Sequence, residues 1–342
     1  MGGTILDLLN NVQKDDTSNP NSRVLIIDGL NLYLRVFAVN GMLNDRGVPI
    51  GGMMGFLKSL AYTIRETNPT RVMVIYDGVG GSQRRRKICP NYKSNRKPGK
   101  RITHWDAFKD EIEEKKAMKI QFSRLLEYLE TLPINVISID RIEADDTIAY
   151  ITNNLLEDEV VIMSSDQDFL QLVDDRVTVW SPIKKIFYTP EKVLEDYGVP
   201  AHNFIMYKIL MGDKSDNLEG VKGLGPKKLP KILPDILSKT LDLDFILDYS
   251  SKGPEPMHKR ITESVNQLNL NKELMDLKNP PISGELKLLI RKLTTQPINL
   301  LSSNDFNTMY IEDQMGNAID IPDVWLKQHF TKLNSYAKAT HE

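Results

Sequence analysis

The sequence is nearly without cysteine. Cys89 is the one cysteine among 342 residues. It cannot form a disulfide within the chain, and a cysteine-based zinc site is excluded. A metal ion bound by this protein therefore needs oxygen ligands.

Long apolar runs are also lacking. No stretch approaches the ~18 apolar residues of a membrane span, and the amino terminus shows neither the positive start nor the apolar segment of a signal peptide. The net charge of −2, with 41% hydrophobic and 26% charged residues, is ordinary for a soluble globular protein. We expect a cytoplasmic protein of about two domains, with no membrane partner.

Carboxylates, in contrast, recur where the strands of an α/β sheet would end. Four of the clusters follow short apolar β-branched runs, so the carboxyl edge of a parallel sheet would gather them. The nine residues are Asp28, Asp77, Glu143, Asp145, Asp146, Asp166, Asp168, Asp213 and Asp216. Unpaired, they would repel one another and mostly protonate, whereas Mg²⁺ or Mn²⁺ would turn the repulsion into a binding site.

A structural role competes with this interpretation for individual residues. Asp28, Asp213 and Asp216 could each cap a helix. Glu143 and Asp146, however, are like charges three residues apart on one predicted helix, an arrangement that destabilises an isolated helix. This pattern indicates a compensating cation.

A basic block follows the second carboxylate. Residues 84–101, RRRKICPNYKSNRKPGKR, contain nine basic residues and no acidic one. A charge run is usually a solvated surface loop. This one lies just beyond Asp77 and interleaves Tyr92 with Lys93 and Arg96, so it offers cations to phosphates and one stacking surface. We interpret it as a phosphate-binding segment.

The apolar periodicity predicts strands alternating with helices up to about residue 190. RVLIID, RVMVIYD, INVISID and EVVIMSS are typical of strands, and VTVWS with KIFYT of an edge pair. One long amphipathic helix is predicted for residues 104–131. We therefore predict an α/β fold with a mostly parallel, twisted central sheet flanked by helices. The predicted segments are a flexible extension (1–22), the α/β core (23–189) and a helical domain (190–342).

A glycine-rich turn marks the helical domain. Gly220, Gly223 and Gly225 stand where a tight turn exposes backbone amides to a phosphate. The pattern G-V-x-G-L-G-P-K-K between two predicted helices, at about 205–240, matches the helix-hairpin-helix module that grips a DNA backbone without reading bases. Pro230 predicts a short or kinked second helix.

The motifs IIDG, YDG, EADD, SSDQDF and GDKSDN occur in this order, with a basic stretch after the second and a helix-hairpin-helix after the last. Together they resemble the 5′-nuclease (flap endonuclease) family, in particular its bacteriophage replicative members, over roughly residues 23–240. The resemblance implies a PIN-like core with a basic helical arch at about 84–131. It also implies a structure-specific 5′→3′ exonuclease and flap endonuclease with RNase H-type removal of RNA primers in phage DNA replication.

The resemblance further implies roles for individual residues. A first Mg²⁺ would be surrounded by Asp28, Asp77, Glu143, Asp145 and Asp166, and a second by Asp145, Asp166, Asp168, Asp213 and Asp216, with Asp146 as an extra carboxylate. The catalytic residues of the arch would be Arg85, Tyr92, Lys93 and Arg96. The DNA contacts would be Arg84, Arg86, Lys87, Gly220, Gly223, Gly225, Lys227 and Lys228. The carbonyls of Val221 and Leu224 would hold a monovalent cation such as K⁺.

Two Mg²⁺ or Mn²⁺ ions ~4 Å apart would activate water and stabilise the attacking and leaving oxygens, giving a 5′-phosphate and a 3′-hydroxyl. The implied partners are branched or nicked DNA and RNA–DNA duplexes with a 5′ end, together with a single-strand-binding protein or sliding clamp. A monomer in the cytoplasm of a bacterial host is expected.

Three alternatives stay open. They are a PIN-like single-stranded ribonuclease, a non-catalytic DNA-structure-binding protein and a Mg²⁺-dependent phosphatase of small molecules. The basic block and the glycine hairpin argue against the first. The presence of every acidic position argues against the second, and the basic block argues against the third.

Overall fold

The computed structural model describes residues 19–94, 102, 103, 105 and 108–342. Arg96 and most of the predicted amino-terminal extension therefore lie outside the described residues. None of the described helices is both long and apolar enough to cross a membrane.

A six-stranded sheet forms the centre of the fold. Its strands are β1 (Arg23–Asp28), β2 (Arg71–Asp77), β3 (Asn135–Ile139), β4 (Glu159–Met163), β5 (Val177–Ser181) and β6 (Ile186–Tyr188). The spatial order is β3-β2-β1-β4-β5-β6. All neighbouring pairs are parallel except β5 and β6, which pair antiparallel at the edge. The predicted α/β sheet and its edge pair are confirmed.

Helices cover both faces of this sheet. The helices are α1 (Gly29–Val39), α2 (Gly51–Thr67), α3 (Gln83–Ile88), α4 (Glu111–Glu130), α5 (Ala144–Asn154), α6 (Pro190–Tyr197), α7 (Phe204–Met211), α8 (Leu229–Ile232), α9 (Leu243–Lys252), α10 (Pro256–Glu263), α11 (Val265–Met275), α12 (Gly284–Thr295), α13 (Ser303–Glu312) and α14 (Pro322–Ala339). Short 3₁₀ segments occur at Gln167–Leu172, Ala201–Asn203, Pro234–Leu237 and Gly316–Ala318. A second, two-stranded sheet joins β7 (Gly212–Asp213) to β8 (Leu218–Glu219).

The predicted helix at 104–131 is wrong at its amino-terminal end. Helix α4 begins at Glu111, because the Asp110 carboxylate caps it by accepting the backbone N–H groups of Ile112 and Glu113 at 2.9 and 2.8 Å. Such a cap satisfies amides that have no partner inside the helix. Helix α4 is therefore shorter than the apolar periodicity of residues 104–131 predicts.

Both faces of β1 are buried, as its continuous apolar run requires for a central parallel strand. Leu25 and Ile27 belong to one hydrophobic core, under α1, α2 and α4. Val24 and Ile26 belong to the core on the opposite face, which includes apolar residues of α5. Since all four side chains are fully buried, the strand that carries Asp28 is held from both sides.

The carboxy-terminal helices return to the sheet. Phe306 of α13 and Phe330 of α14 are buried in the same core as Leu25. The Ser302 N–H also donates to the Thr131 carbonyl at 2.8 Å. A helical domain that begins at residue 190 remains a proposal, and this packing joins α13 and α14 to the α/β core.

The helix-hairpin-helix region has a short second helix. Helix α7 is followed by β7, β8 and the glycine turn, and α8 has only four residues with Pro230 in its first turn. Pro230 predicts a short or kinked second helix, and the four-residue α8 agrees with that prediction. Proline fits the first turn of a helix but not its interior.

Candidate active site

Asp28 lies at the centre of the carboxyl edge of the sheet. It ends β1, caps α1 by accepting the Asn31 N–H at 3.2 Å, and accepts the Ser164 hydroxyl at 3.1 Å. Asp28 therefore caps a helix and also lies at the acidic edge of the sheet. Ser164, which follows β4, also accepts the Asp166 N–H at 3.0 Å, so two strand ends are tied together.

Asp77 links the end of β2 to the acidic quartet. Its carboxylate accepts the Ala144 N–H, the first amide of α5, at 2.7 Å. The chain can turn here because residue 78 is glycine: a Cβ on Gly78 would lie 1.7 Å from the Ile139 carbonyl oxygen. The YDG motif thus brings Asp77 to the helix that carries Asp145 and Asp146.

Like charges meet at this edge. Burial, together with Asp166 and Asp77, raises the pKa of Asp28 from 3.8 to about 7, although hydrogen bonds from Asn31 and Ser164 oppose the rise. Burial, Asp166 and Asp28 likewise raise the pKa of Asp145 well above its ordinary value. These four side chains are therefore close enough to repel one another, and a divalent cation would relieve the repulsion.

Arg85 is the cation that Glu143 and Asp146 both meet. The prediction that these two carboxylates lie on one helix is wrong, because α5 begins at Ala144 and Glu143 precedes it in extended conformation. The Arg85 guanidinium engages both oxygens of Asp146 at 2.7 and 2.8 Å and also bonds to Glu143. A further bond reaches the Leu274 carbonyl at 2.9 Å. All three charged side chains are about nine-tenths buried or more. The compensating cation of this pair is an arginine, so Asp146 forms an ion pair here, and Arg85 does not present its charge to solvent.

Lys93 and Tyr92 also approach Glu143. The Lys93 ammonium lies 2.9 Å from the Glu143 carboxylate and 4.8 Å from the centre of the Tyr92 ring. Burial disfavours the Glu143 anion, but Arg85 and Lys93 outweigh it and lower the pKa of Glu143. The prediction that Tyr92 offers a stacking surface is wrong for this structure, because its ring is only 4% exposed and packs in an apolar cluster.

A second acidic group forms around a lysine that the sequence analysis did not single out. The Lys208 ammonium lies 2.8 Å from Asp168 and also contacts Asp213. Burial and Asp166 raise the pKa of Asp168 to about 6, even though Lys208 opposes the rise. Lys208 belongs to the apolar helix α7, five residues before Asp213. A lysine within an apolar helix, next to a carboxylate motif, is the signal that could have identified it.

Asp216 completes this part of the site. It is 7% exposed, and its backbone carbonyl accepts the Lys93 N–H at 3.0 Å. Lys93 has a positive φ of 55°, a conformation uncommon for a residue with a side chain. The basic segment and the GDKSDN motif are therefore joined through their backbones.

The carboxylates do not converge as ligands in this structure. Within residues 19–94 and 102–342, apart from the positions left undescribed, no group of three or more His, Cys, Asp or Glu side chains is arranged to hold a metal ion. The carboxylates instead pair with the buried cations Arg85 and Lys208 and with the half-buried Lys93. The donor chemistry still fits hard cations, since Mg²⁺ prefers carboxylate oxygens and crowding helps to raise the pKa values of Asp28, Asp145 and Asp168.

The glycine turn presents its backbone on the surface. Gly223 is exposed and has a φ of +83°, which glycine adopts without strain. The Lys228 ammonium donates to its carbonyl at 3.1 Å, and Arg260 donates to the Lys222 carbonyl at 3.2 Å. Lys227 is also exposed, so this surface is basic.

The other predicted DNA contacts divide into two groups. Arg86 and Lys87 are exposed, as a phosphate contact requires. Arg84 is partly exposed and pairs with Glu273 at 3.2 Å.

The Val221 carbonyl, predicted as a K⁺ ligand, accepts the Leu224 N–H at 3.1 Å within the turn.

An acidic edge on a parallel sheet, with Arg85, Lys93 and Lys208 beside its carboxylates and a basic glycine turn on the surface, is suited to phosphodiester chemistry on a charged polymer. The fold and the site therefore define a nuclease of α/β architecture.

Comparisons with known proteins identify the family. The model of the 5′-3′ exonuclease amino-terminal, resolvase-like domain matches residues 23–198. A 5′-3′ exonuclease of Bacillus subtilis is 31% identical over 280 residues, covering 78% of this chain and 87% of that protein. The thermostable DNA polymerase I of Thermus thermophilus is 31% identical over 258 residues, covering 75% of this chain and 28% of the polymerase. The chain belongs to the 5′-3′ exonuclease family, and it is a 5′ nuclease.

The fold agrees with this assignment. A crystal structure of the flap endonuclease of bacteriophage T5, in complex with DNA and metal ions, superimposes with a TM-score of 0.60 at 22% identity. The match covers 86% of this chain and 100% of that chain.

Proposed function

We propose that this protein is a Mg²⁺-dependent, structure-specific nuclease that cuts DNA from a 5′ end, at flaps and nicks, and removes RNA primers from RNA–DNA duplexes. The crowding of Asp28, Asp145 and Asp166 at the end of parallel strands is the observation that carries the proposal, because divalent cations would relieve the repulsion among these carboxylates. The glycine turn with Lys227 and Lys228 adds a surface for a phosphate backbone.

The carboxylates fall into two groups that would hold two metal ions. Asp28, Asp77, Asp145 and Asp166 would hold one ion, and Asp168, Asp213 and Asp216 would help to hold the other. When bound, the ions supply an activated water and stabilise both oxygens of an in-line displacement. The expected products are a 5′-phosphate and a 3′-hydroxyl.

The chain's own cations have separate tasks in this proposal. Arg85 holds Glu143 and Asp146 in place. The Lys93 ammonium, at the edge of the acidic cluster, would offset negative charge on the phosphate that is cut. Lys208 fixes Asp168 and Asp213 relative to each other. The exposed Arg86 and Lys87 would contact the 5′ strand. Monomeric action, K⁺ at the glycine turn, and contacts with a single-strand-binding protein or sliding clamp belong to the same proposal.

Cleavage of 5′-labelled substrates tests this function. The substrates are a 5′ flap, a nicked DNA duplex and a nicked RNA–DNA duplex, each with Mg²⁺ or with EDTA. Asp166→Asn should abolish cleavage, whereas the matched control Asp175→Asn, at an exposed position, should cleave like the wild type. Tight binding of the flap without any cleavage in Mg²⁺ or Mn²⁺ would instead identify a DNA-structure-binding protein.

A further inference from the structure

Helix α10 packs against the glycine turn. Met257 and Ile261, which lie four residues apart on one face of α10, are buried in the same hydrophobic cluster as Val221 and Leu224 of the turn. Arg260, next to Ile261 in the chain, is exposed. The apolar face of α10 therefore fixes this helix to the turn and leaves Arg260 at the surface.

Arg260 and Lys228 bind consecutive carbonyls of the turn. The Arg260 guanidinium donates to the Lys222 carbonyl at 3.2 Å, and the Lys228 ammonium donates to the Gly223 carbonyl at 3.1 Å. A Cβ at position 223 would lie 2.7 Å from Nη1 of Arg260, so a side chain there would displace the guanidinium. Two cations from separate segments are therefore held on neighbouring residues of one turn.

The positive charge at this turn is not neutralised by ion pairs among the described residues. Neither Arg260 nor Lys228 lies within ion-pair distance of a carboxylate there, and the adjacent Lys222 and Lys227 are exposed. Like charges held close together repel one another, and ordering a long side chain costs up to about 2 kcal/mol. The Lys222 carbonyl uses one of the five N–H donors of the guanidinium, so donors remain for an anion. This unrelieved repulsion favours a partner that carries negative charge.

The turn is fixed relative to the acidic edge of the sheet. Asn271, a fully buried residue of α11, donates to the Ile209 carbonyl of α7 at 2.9 Å. It also donates to the Glu219 carbonyl of β8, directly before the turn, at 2.8 Å. Helix α7 carries Lys208, which contacts Asp168. An anion bound at the turn would therefore be held in a set position relative to the carboxylates.

We propose that Arg260 is a positioning residue that binds a backbone phosphate of duplex DNA, next to the phosphate bound at Lys228. Helix α10 thereby extends the DNA-binding surface beyond residues 205–240, which the helix-hairpin-helix pattern marks. The contact is made to the backbone, so it is independent of base sequence. The identity of the partner as DNA rests on the proposed function.

The salt dependence of duplex binding tests this contact. Binding of a fluorescein-labelled blunt duplex is measured by anisotropy in EDTA, at a constant K⁺ concentration and with NaCl as the varied salt. Each phosphate contact contributes about 0.9 to the slope of log K against log salt, so the Kd ratio of Arg260→Met to the wild type should fall about 3.5-fold between 50 and 200 mM salt. Arg260→Lys keeps the charge and should keep the wild-type slope.

Lys259→Ala is the matched control for the lost charge. Lys259 is the neighbouring cation on the same helix, and its ammonium lies 3.7 Å from the Glu263 carboxylate. This substitution changes the net charge by the same amount as Arg260→Met but removes no proposed phosphate contact. Since salt screens exposed charges that make no contact, its Kd ratio to the wild type should stay nearly constant over the same range.

Neutral methylphosphonate linkages locate the contact on the DNA. One linkage at a time is placed along each strand of the duplex, and Kd is measured with the wild type, Arg260→Met and Lys228→Ala. A linkage that replaces the phosphate bound by Arg260 should weaken binding by the wild type and leave binding by Arg260→Met unchanged. The adjacent linkage on the same strand should show this behaviour with Lys228→Ala.

Three outcomes would overturn the proposal. A loss of affinity in Arg260→Met with the wild-type slope would mean that Arg260 only holds the turn in shape. Equally reduced slopes in Arg260→Met and Lys259→Ala would mean that net charge, rather than a contact, is responsible. The contact is also refuted if every linkage affects the wild type and Arg260→Met alike.

These measurements need no cleavage, so they separate the contact from the nuclease function. The expected slopes and linkage effects, without any cleavage of a 5′ flap in Mg²⁺, would support the contact and refute the nuclease activity on this substrate. Cleavage of the flap, with an unchanged slope in Arg260→Met, would overturn the contact alone.

Discussion

Replacement of Arg85 should destabilise the protein far more than replacement of its neighbour Arg84. The side chains of Arg85, Glu143 and Asp146 are 6%, 6% and 10% exposed, so Arg85→Met would leave two buried carboxylates without their cation. Breaking a buried ion pair from one side costs about 3–5 kcal/mol. A loss of ~3 kcal/mol lowers the ratio of folded to unfolded protein more than a hundredfold.

Arg84 offers a control on the same helix. Its pair with Glu273 is exposed, with side-chain exposures of 39% and 51%, and such pairs contribute about 0–1 kcal/mol. Guanidinium unfolding of the wild type, Arg84→Met and Arg85→Met, all in EDTA, gives the two free-energy differences. Equal losses below ~1 kcal/mol in both variants would refute the ion-pair reasoning.

A triple variant tests the cause of the loss. Combining Arg85→Met with Glu143→Gln and Asp146→Asn removes both stranded charges, so the variant should recover part of the lost stability. If the three substitutions add without recovery, the loss comes from packing or from the bond to Leu274 rather than from unpaired charge.

Three further outcomes are expected. In EDTA, Asp28 should make the free energy of unfolding fall as the pH rises from about 4 to about 7. The pKa of its carboxyl is about 7 in the folded protein and 3.8 in the unfolded chain, so the folded state binds more protons over this range. Urea midpoints at pH 5 and 8 should therefore differ less in Asp28→Asn than in the wild type, and an unchanged difference would contradict the shift. Lys208→Met should lower the free energy of unfolding by about 3–5 kcal/mol, because it leaves Asp168 and Asp213 without their cation. The control Lys252→Met breaks only the exposed pair with Asp248 and should lower it by less than ~1 kcal/mol. Lys228→Ala should weaken duplex binding equally for different DNA sequences and reduce the salt dependence by about one phosphate contact, as filter binding between 50 and 200 mM salt would measure.

The sequence alone determined the sheet and the gathering of carboxylates at its edge. Apolar β-branched runs such as RVLIID and EVVIMSS are typical of strands buried on both faces of a parallel sheet. The observed β1 coincides with the first run, and β4 covers the first five residues of the second. Because parallel strands end at one edge, Asp28, Asp77 and Asp166 had to meet there. The glycine turn and the shortening effect of Pro230 were also local properties, fixed by backbone sterics.

Only the tertiary structure decided which charge each carboxylate meets. The sequence places Glu143 and Asp146 three residues apart, but it does not show that α5 begins only at Ala144, after Glu143. Nor does it show that both carboxylates meet the guanidinium of Arg85, which lies 58 residues before Glu143 in the chain. The burial of Tyr92 and the role of Lys208 depend in the same way on packing between distant segments. Periodicity reports which faces of an element are apolar, whereas long-range pairing depends on which elements pack together, and that is settled only in the folded chain.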